Sequence, residues 1–219
     1  MKRFLGGIAL VALAVCSIPD TGSAQMSFSP VWGLPGGVGV TINGDYGRGL
    51  NDESGKENYI GGRVVVGLPM VSIFAGGGMV TLDPDSKISF GGGAAVNVIK
   101  APMLPVAVAV QGGVGYIDAA GVKTLNFPIG PVVSINVPSP AVDVKPWIMP
   151  RVHIQRVSNG TSDTEVGFGA SAGLNVTLPM GVGGHVALDW MTIGDPSVKP
   201  FLVGIGAHYT ISVPSLGVM

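Results

Sequence analysis

The sequence predicts an all-β chain: a transmembrane antiparallel up-and-down β-barrel of ten strands, with eight as the alternative count. Three observations carry this reading. Apolar and small-polar side chains alternate along ten segments, the connections between segments alternate in kind, and an export leader precedes them all. The alternation is cleanest over EVGFGASAGLNVTL (165–178). There Val166, Phe168, Ala170, Ala172, Leu174, Val176 and Leu178 share one parity, while Glu165, glycine, serine, asparagine and threonine fill the other. Successive residues of a strand point to opposite faces, so this strand has an apolar side and a small-polar side. Its length exceeds the roughly 5–6 residues usual in soluble sheets. It satisfies the roughly 9–11 residues of a tilted membrane-spanning strand.

The chain divides into a signal peptide (1–24), an N-terminal periplasmic segment (25–36), the barrel (37–212) and a C-terminal extension (213–219). In the leader, Lys2 and Arg3 precede an apolar run over 4–18, and Gly22-Ser23-Ala24 offers small residues before Gln25. The run falls short of the roughly 20 residues a spanning helix needs. Cleavage after Ala24 removes Cys16, the single cysteine, and with it any disulfide or thiol nucleophile. Hydrophobic residues make up 47% of the chain and charged ones only 11%, which suits an outer surface that meets lipid. A formal net charge of −1 gives no electrostatic case for nucleic acid. The 36 glycines lack a three-residue period and sit inside strand patterns, so they signal neither collagen nor low-complexity disorder.

The predicted strands run at 37–46, 58–67, 71–82, 88–98, 106–117, 125–137, 144–156, 165–178, 184–192 and 200–211. Leu68-Pro69-Met70, the stretch 101–105, Val137-Pro138-Ser139-Pro140 and Leu178-Pro179-Met180 form proline-containing links at one end. At the other end lie GRGLNDESGKE (47–57), DPDSK (83–87), the region 118–124, SNGTSD (158–163) and DPSVK (195–199), all polar. Short turns at one rim and polar loops at the other are the plan of an outer-membrane barrel. A propeller would repeat at a similar spacing but would need four short strands in each unit. Parity assigns Ile60, Val64, Val66, Val106, Val108, Val110, Phe127, Ile129, Val203 and Ile205 to the outer face, and leaves the third strand, around Phe74 to Gly78, undecided.

An aromatic girdle is predicted from Tyr46, Phe90, Tyr116, Phe127, Phe168, Trp190 and Phe201. All seven have outward parity and lie close to a polar loop, although their strands run alternately up and down. Amphipathic rings favour headgroup depth, which explains such a pattern. The signal, the even strand number, the alternating connections and the girdle resemble the small bacterial outer-membrane barrels of the porin-like and opacity-protein superfamily. That resemblance covers the whole mature chain through pattern rather than invariant residues. It implies a location in the outer membrane, contact with outer-membrane lipid and insertion by barrel-assembly machinery. One departure concerns that machinery: such barrels often end on an aromatic residue, whereas SVPSLGVM follows Tyr209 and Ile211 here.

A polar cluster is expected inside the barrel: Asp45, Arg63, Arg151, His153, Gln155, Glu165 and Asp189, with Lys145, His185 and His208 also inward but lower. Barrel interiors are polar, and paired charges there lock strands together. The same residues facing each other would make a selectivity constriction. A base–acid pair of His153 with Glu165 or Asp189 is the catalytic alternative, but no serine follows His153 closely enough to be its nucleophile. The three histidines lie on separate strands, so no metal and no cofactor are expected.

Gly61, Gly67, Gly91, Gly93, Gly113, Gly115, Gly167, Gly169, Gly173, Gly204 and Gly206 also face inward. Eight strands enclose a space that side chains just fill, so ten strands lined with glycine leave room for water. A plug made of residues 25–36, with Trp32, or of the loop 47–57 would fill it instead. The expected function is a narrow passive channel for small solutes, not an enzyme, and a lumen closed by side chains would sink it. The alternative is a structural or surface-interaction barrel acting through its loops, especially 47–57. A rim-located enzyme is third.

Overall fold

The computed structural model describes residues 30–33, 38–81, 86–100, 105–119, 121–137, 139, 141–194 and 197–212. The leader, most of the segment 25–36, the tail 213–219 and the Asp83-Pro84-Asp85 turn lie outside these residues. Ten strands follow one another: β1 (Gly39–Gly49), β2 (Asn58–Gly67), β3 (Val71–Thr81), β4 (Ser86–Lys100), β5 (Val106–Ala119), β6 (Val122–Ile135), β7 (Asp143–Asn159), β8 (Thr161–Thr177), β9 (Val182–Thr192) and β10 (Phe201–Ser212). Each pairs antiparallel with its neighbour in the chain, and β1 pairs with β10 to close the barrel. The predicted ten-strand, up-and-down architecture is therefore the observed one. Closure leaves no strand edge with unpaired N–H and C=O groups, which is what allows a sheet to sit in hydrocarbon.

Register fixes which parity faces inward. In β1, Thr41, Asn43 and Asp45 are buried while Ile42 is exposed. The undecided third strand is settled by its partner. Val65 lies opposite Phe74, so Phe74 turns inward with Ser72 and Val80, and Ile73 and Met79 turn outward. The result inverts a soluble protein: Ile60, Ile88 and Phe168 are more than 60% exposed, while Arg63, Arg151 and Asp189 are nearly fully buried. A contiguous apolar exterior of this kind marks a surface built to meet lipid.

Two of the interruptions in the ladders coincide with a bulge and with a pair of prolines. Between β4 and β5 the register shifts at Asn97/Ile99, a bulge that leaves both Val98 and Ile99 exposed. Between β6 and β7 the ladder lapses between Ile129↔Val152 and Val133↔Ile148 and then resumes in the same register. Pro131 and Pro150 fall in that gap, and neither has an N–H to give.

The polar stretches expected as loops at 118–124 and 158–163 are instead mostly strand. The β7–β8 hairpin turns on Gly160 alone, and β5–β6 turns around Gly121, with φ of +74° and +85° respectively. Both glycines occupy a left-handed conformation that carries a steric cost for a side chain. Gly160→Val is expected to cost about 1–2 kcal/mol, read as a lowered urea midpoint in lipid vesicles. No change would mean the turn relaxes freely.

Candidate functional site

The interior is occupied by the chain's own N-terminal segment. Val31 and Trp32 lie inside the barrel, buried with Val132, Trp147, Met149 and Ala187 in one apolar cluster. Glycine makes the space: the Trp32 ring and Pro30 rest on Gly204, and the Trp147 ring lies against Gly33 and Gly173, where any Cβ would collide. Two hydrogen bonds tie the segment to the wall. The Val31 N–H donates to Asp189 Oδ2 at 2.7 Å, and Gln111 Nε2 donates to the Trp32 carbonyl at 2.9 Å. The Trp32 ring meets His185 edge to face at 4.7 Å, and the Arg63 guanidinium sits 5.5 Å from the ring centre. These are favourable geometries for an aromatic pair and for a cation over an indole. Beside Trp32 a small cavity lined by Val31, Arg63, Phe74, Gln111 and Pro128 leaves about 20 Å³ open to the centre of a water molecule, on the order of one water.

The predicted polar cluster divides into separate groups. Arg151 on β7 reaches over β8 to Asp189 on β9, with Nη2 donating to Oδ1 at 2.5 Å, while its Nη1 donates to Ser171 Oγ at 2.5 Å. Arg151 is 4% exposed and Asp189 0%, so this is a buried pair whose carboxylate also holds the N-terminal segment. On the other side, Arg63 Nε donates to Asp45 Oδ2 at 3.1 Å. Asp45 Oδ1 meets His185 Nε2 at 2.7 Å, His185 Nδ1 meets His208 Nδ1 at 3.2 Å, and His208 Nε2 meets Thr177 Oγ1 at 2.9 Å. Four strands, β1, β2, β9 and β10, and the end of β8, all consecutive in the barrel, are thereby joined along the inner wall.

The remaining predicted residues stand apart. His153 is buried, with Nε2 at 3.2 Å from Asn126 Oδ1. Its partner is therefore an amide, and Asp189, one of the two carboxylates considered for a base–acid pair, is bonded to Arg151 and Val31 instead. Gln155 and Glu165 face each other in register near the loop end and are only partly buried, with the Glu165 carboxylate beside Gly194. The histidines that the sequence leaves scattered are brought together in one case, His185 with His208. Sequence parity puts Gln111, Ser171 and Thr177 on the inner face without a role, and Asn126 and Trp147 were missed. Inward parity was the available signal for each, but it gives no partner.

All seven girdle residues lie on the outward side of their strands. Phe90 and Tyr116 are opposite in register with ring centres 5.0 Å apart, and Phe201 is opposite Trp190. At the same end, the β1–β2 loop folds onto the β9–β10 connection around a 3-10 turn at Asp52–Ser54. Asn51 Nδ2 donates to the Lys199 carbonyl at 2.8 Å, its Oδ1 accepts from the Phe201 N–H at 3.0 Å, and the Lys199 N–H donates to Glu53 Oε2 at 2.5 Å. This loop, named as a possible plug, packs on the rim. The segment 25–36 is the one that enters the lumen, through residues 30–33.

No protein-family model matches the chain, and no curated protein matches it. Solved structures do overlap with it. The N-terminal β-barrel domain of Pseudomonas aeruginosa OprF is 14% identical, over 78% of this chain and 96% of that one, with a TM-score of 0.35. The translocator domain of the autotransporter NalP from Neisseria meningitidis is 13% identical, over 81% and 90%, with a TM-score of 0.44. The outer membrane protease OmpT from Escherichia coli is 8% identical, over 80% and 94%, with a TM-score of 0.42. At these identities and TM-scores the likeness carries no conclusion about this chain's family or role.

Proposed function

We propose that the protein is an exported barrel of the bacterial outer membrane, held closed at rest by its own N-terminal segment and acting through its loop-bearing rim. The observation that carries this is the lumen itself: residues 30–33 fill it, and Trp32 shares one apolar core with Trp147 and Met149. The apolar exterior and the outward aromatic rings support the membrane location. The rim is supported as the working surface by the β1–β2 loop, which is pinned onto the β9–β10 connection as an ordered platform.

In planar lipid bilayers at neutral pH the folded protein is expected to give no steady current. Sustained single-channel conductance would overturn the closed reading. Asn51→Ala, which removes the side chain holding the two connections together, is expected to loosen the rim by about 1 kcal/mol for each hydrogen bond lost. Increased protease cleavage within 47–57 would show it, and unchanged cleavage would mean the loop is held by other contacts.

A narrow passive channel for small solutes is the second reading, and one observation favours it. The wall under Pro30 and Trp32 is glycine at Gly204, so the barrel would gain space there wherever the segment withdraws.

A further inference from the structure

We propose that the His185–His208 pair is an acid-sensitive latch on the N-terminal segment, intact near neutral pH and broken when both imidazoles are charged. The proposal goes beyond the closed resting state, which does not require the latch to open.

The geometry of the pair is the starting point. The ring centres are 5.5 Å apart with planes 22° from parallel, and the Nδ1 atoms are 3.2 Å apart. Rings can be that far apart at that nitrogen separation only if both Nδ1 atoms lie on the line joining the ring centres. The lone pair of one ring therefore points straight at the other, as in an N–H···N bond. A metal ion held head-on between them would need about 4 Å, twice the usual zinc–nitrogen length. Among the described residues no group of three histidine, cysteine, aspartate or glutamate side chains is placed to hold an ion. One proton between the two nitrogens is what the space admits.

Counting protons shows what the pair tolerates. With both rings neutral, one consistent arrangement satisfies every bond: His185 Nε2–H donates to Asp45, His208 Nδ1–H donates to His185 Nδ1, and Thr177 donates to His208 Nε2. One further proton is absorbed at His208 Nε2, because the Thr177 hydroxyl can turn from donor to acceptor. The next proton has only His185 Nδ1 left, and it places two N–H groups against each other. Three protons on four ring nitrogens leave the pair intact, and a fourth breaks it.

The surroundings do not offset that fourth proton. Facing the pair are Asp45 from β1, Arg63 and further along Tyr59 from β2, and Thr177 and Asn175 from β8, with Lys145 of β7 opposite Asn175 in register. One carboxylate, already paired with Arg63, would meet two imidazolium rings and a guanidinium. The edge-on seat of Trp32 on His185 fails when that ring turns away.

The test is amide hydrogen exchange of the folded protein between about pH 8 and about pH 4, corrected for the intrinsic pH dependence of exchange and read at peptides containing Val31. Protection there is expected to fall about tenfold or more in acid, a loss near 1.4 kcal/mol by the usual conversion. His208→Gln, whose amide can still donate to His185 Nδ1 but takes no charge, is expected to keep its protection. Equal protection of the wild type at both pH values would overturn the latch, as would the same loss in His208→Gln. If that variant does not fold, histidine nitrogen NMR of the wild type decides. The shared-proton signal of one histidine pair should vanish over the pH range in which Val31 loses protection, and persistence of that signal through the loss would overturn the proposal. Bilayer current at neutral pH reports separately on the closed resting state.

Discussion

Asp189→Ala is expected to destabilise the barrel by about 3–5 kcal/mol, the cost of leaving a buried charge without its partner. The Arg151 guanidinium is 0% exposed at its side chain, and the carboxylate removed is its ion-pair partner at 2.5 Å. Ser171 would remain as a hydrogen-bond partner but carries no charge. The same change strips the acceptor from the Val31 N–H, so the N-terminal segment should lose protection in hydrogen exchange alongside the global loss. Urea unfolding in lipid vesicles measures the first effect. Replacing both partners, as in Arg151→Met with Asp189→Leu, should cost much less than Asp189→Ala alone, because an apolar pair leaves no charge stranded. A single mutant that loses under about 1 kcal/mol would mean that Arg151 finds water or another partner, and the pair would then be no anchor for the segment.

How far the sequence reaches is clear from individual residues. Strand parity was legible because a period of two depends only on neighbours in the chain. It placed Asp45, Arg63, Arg151, His153 and Asp189 inside before any pairing was known. The third strand, with its FAGGG run (74–78), has no contrast between its faces, and only the register of Val65 against Phe74 decides it. Side-chain partners two strands away along the inner wall were not legible at all. Arg151 and Asp189 lie 38 residues apart, and His185 and Asp45 lie 140 apart, so parity shows that each points inward but not at what. From sequence the strand extensions at 158–163 read as loop, because polar residues there fall on both faces. They stand at the rim, where both faces are exposed and alternation has no cause. The segment 25–36 carries no period, so its entry into the lumen rested on volume alone: a ring at Trp32 and a wall of glycine that it fits.

That volume argument has a direct consequence. Trp32→Ala is expected to cost about 3–5 kcal/mol, the usual range for truncating a buried large aromatic residue. It should also change what the lumen holds. The void left by the indole would join the cavity already beside it and would be bounded by Arg63, His185 and Gln111 as well as by Gly204. Apolar cavities stay dry, but one with several polar groups on its wall takes up water. Without the ring, Arg63 and His185 lose a neighbour that shielded them and become the sides of a hydrated gap. Bilayer recordings are therefore expected to show current from Trp32→Ala where the wild type is silent. Trp32→Phe, which keeps a ring over Gly204, should remain closed. Current from the alanine variant with a charge preference that reverses on Arg63→Glu would place the conducting path past Arg63. A destabilised but silent Trp32→Ala barrel would show that Trp147, Met149 and the Arg151–Asp189 pair close the lumen without it. Trp32 would then be core rather than gate, the channel reading would end there, and function would lie at the rim.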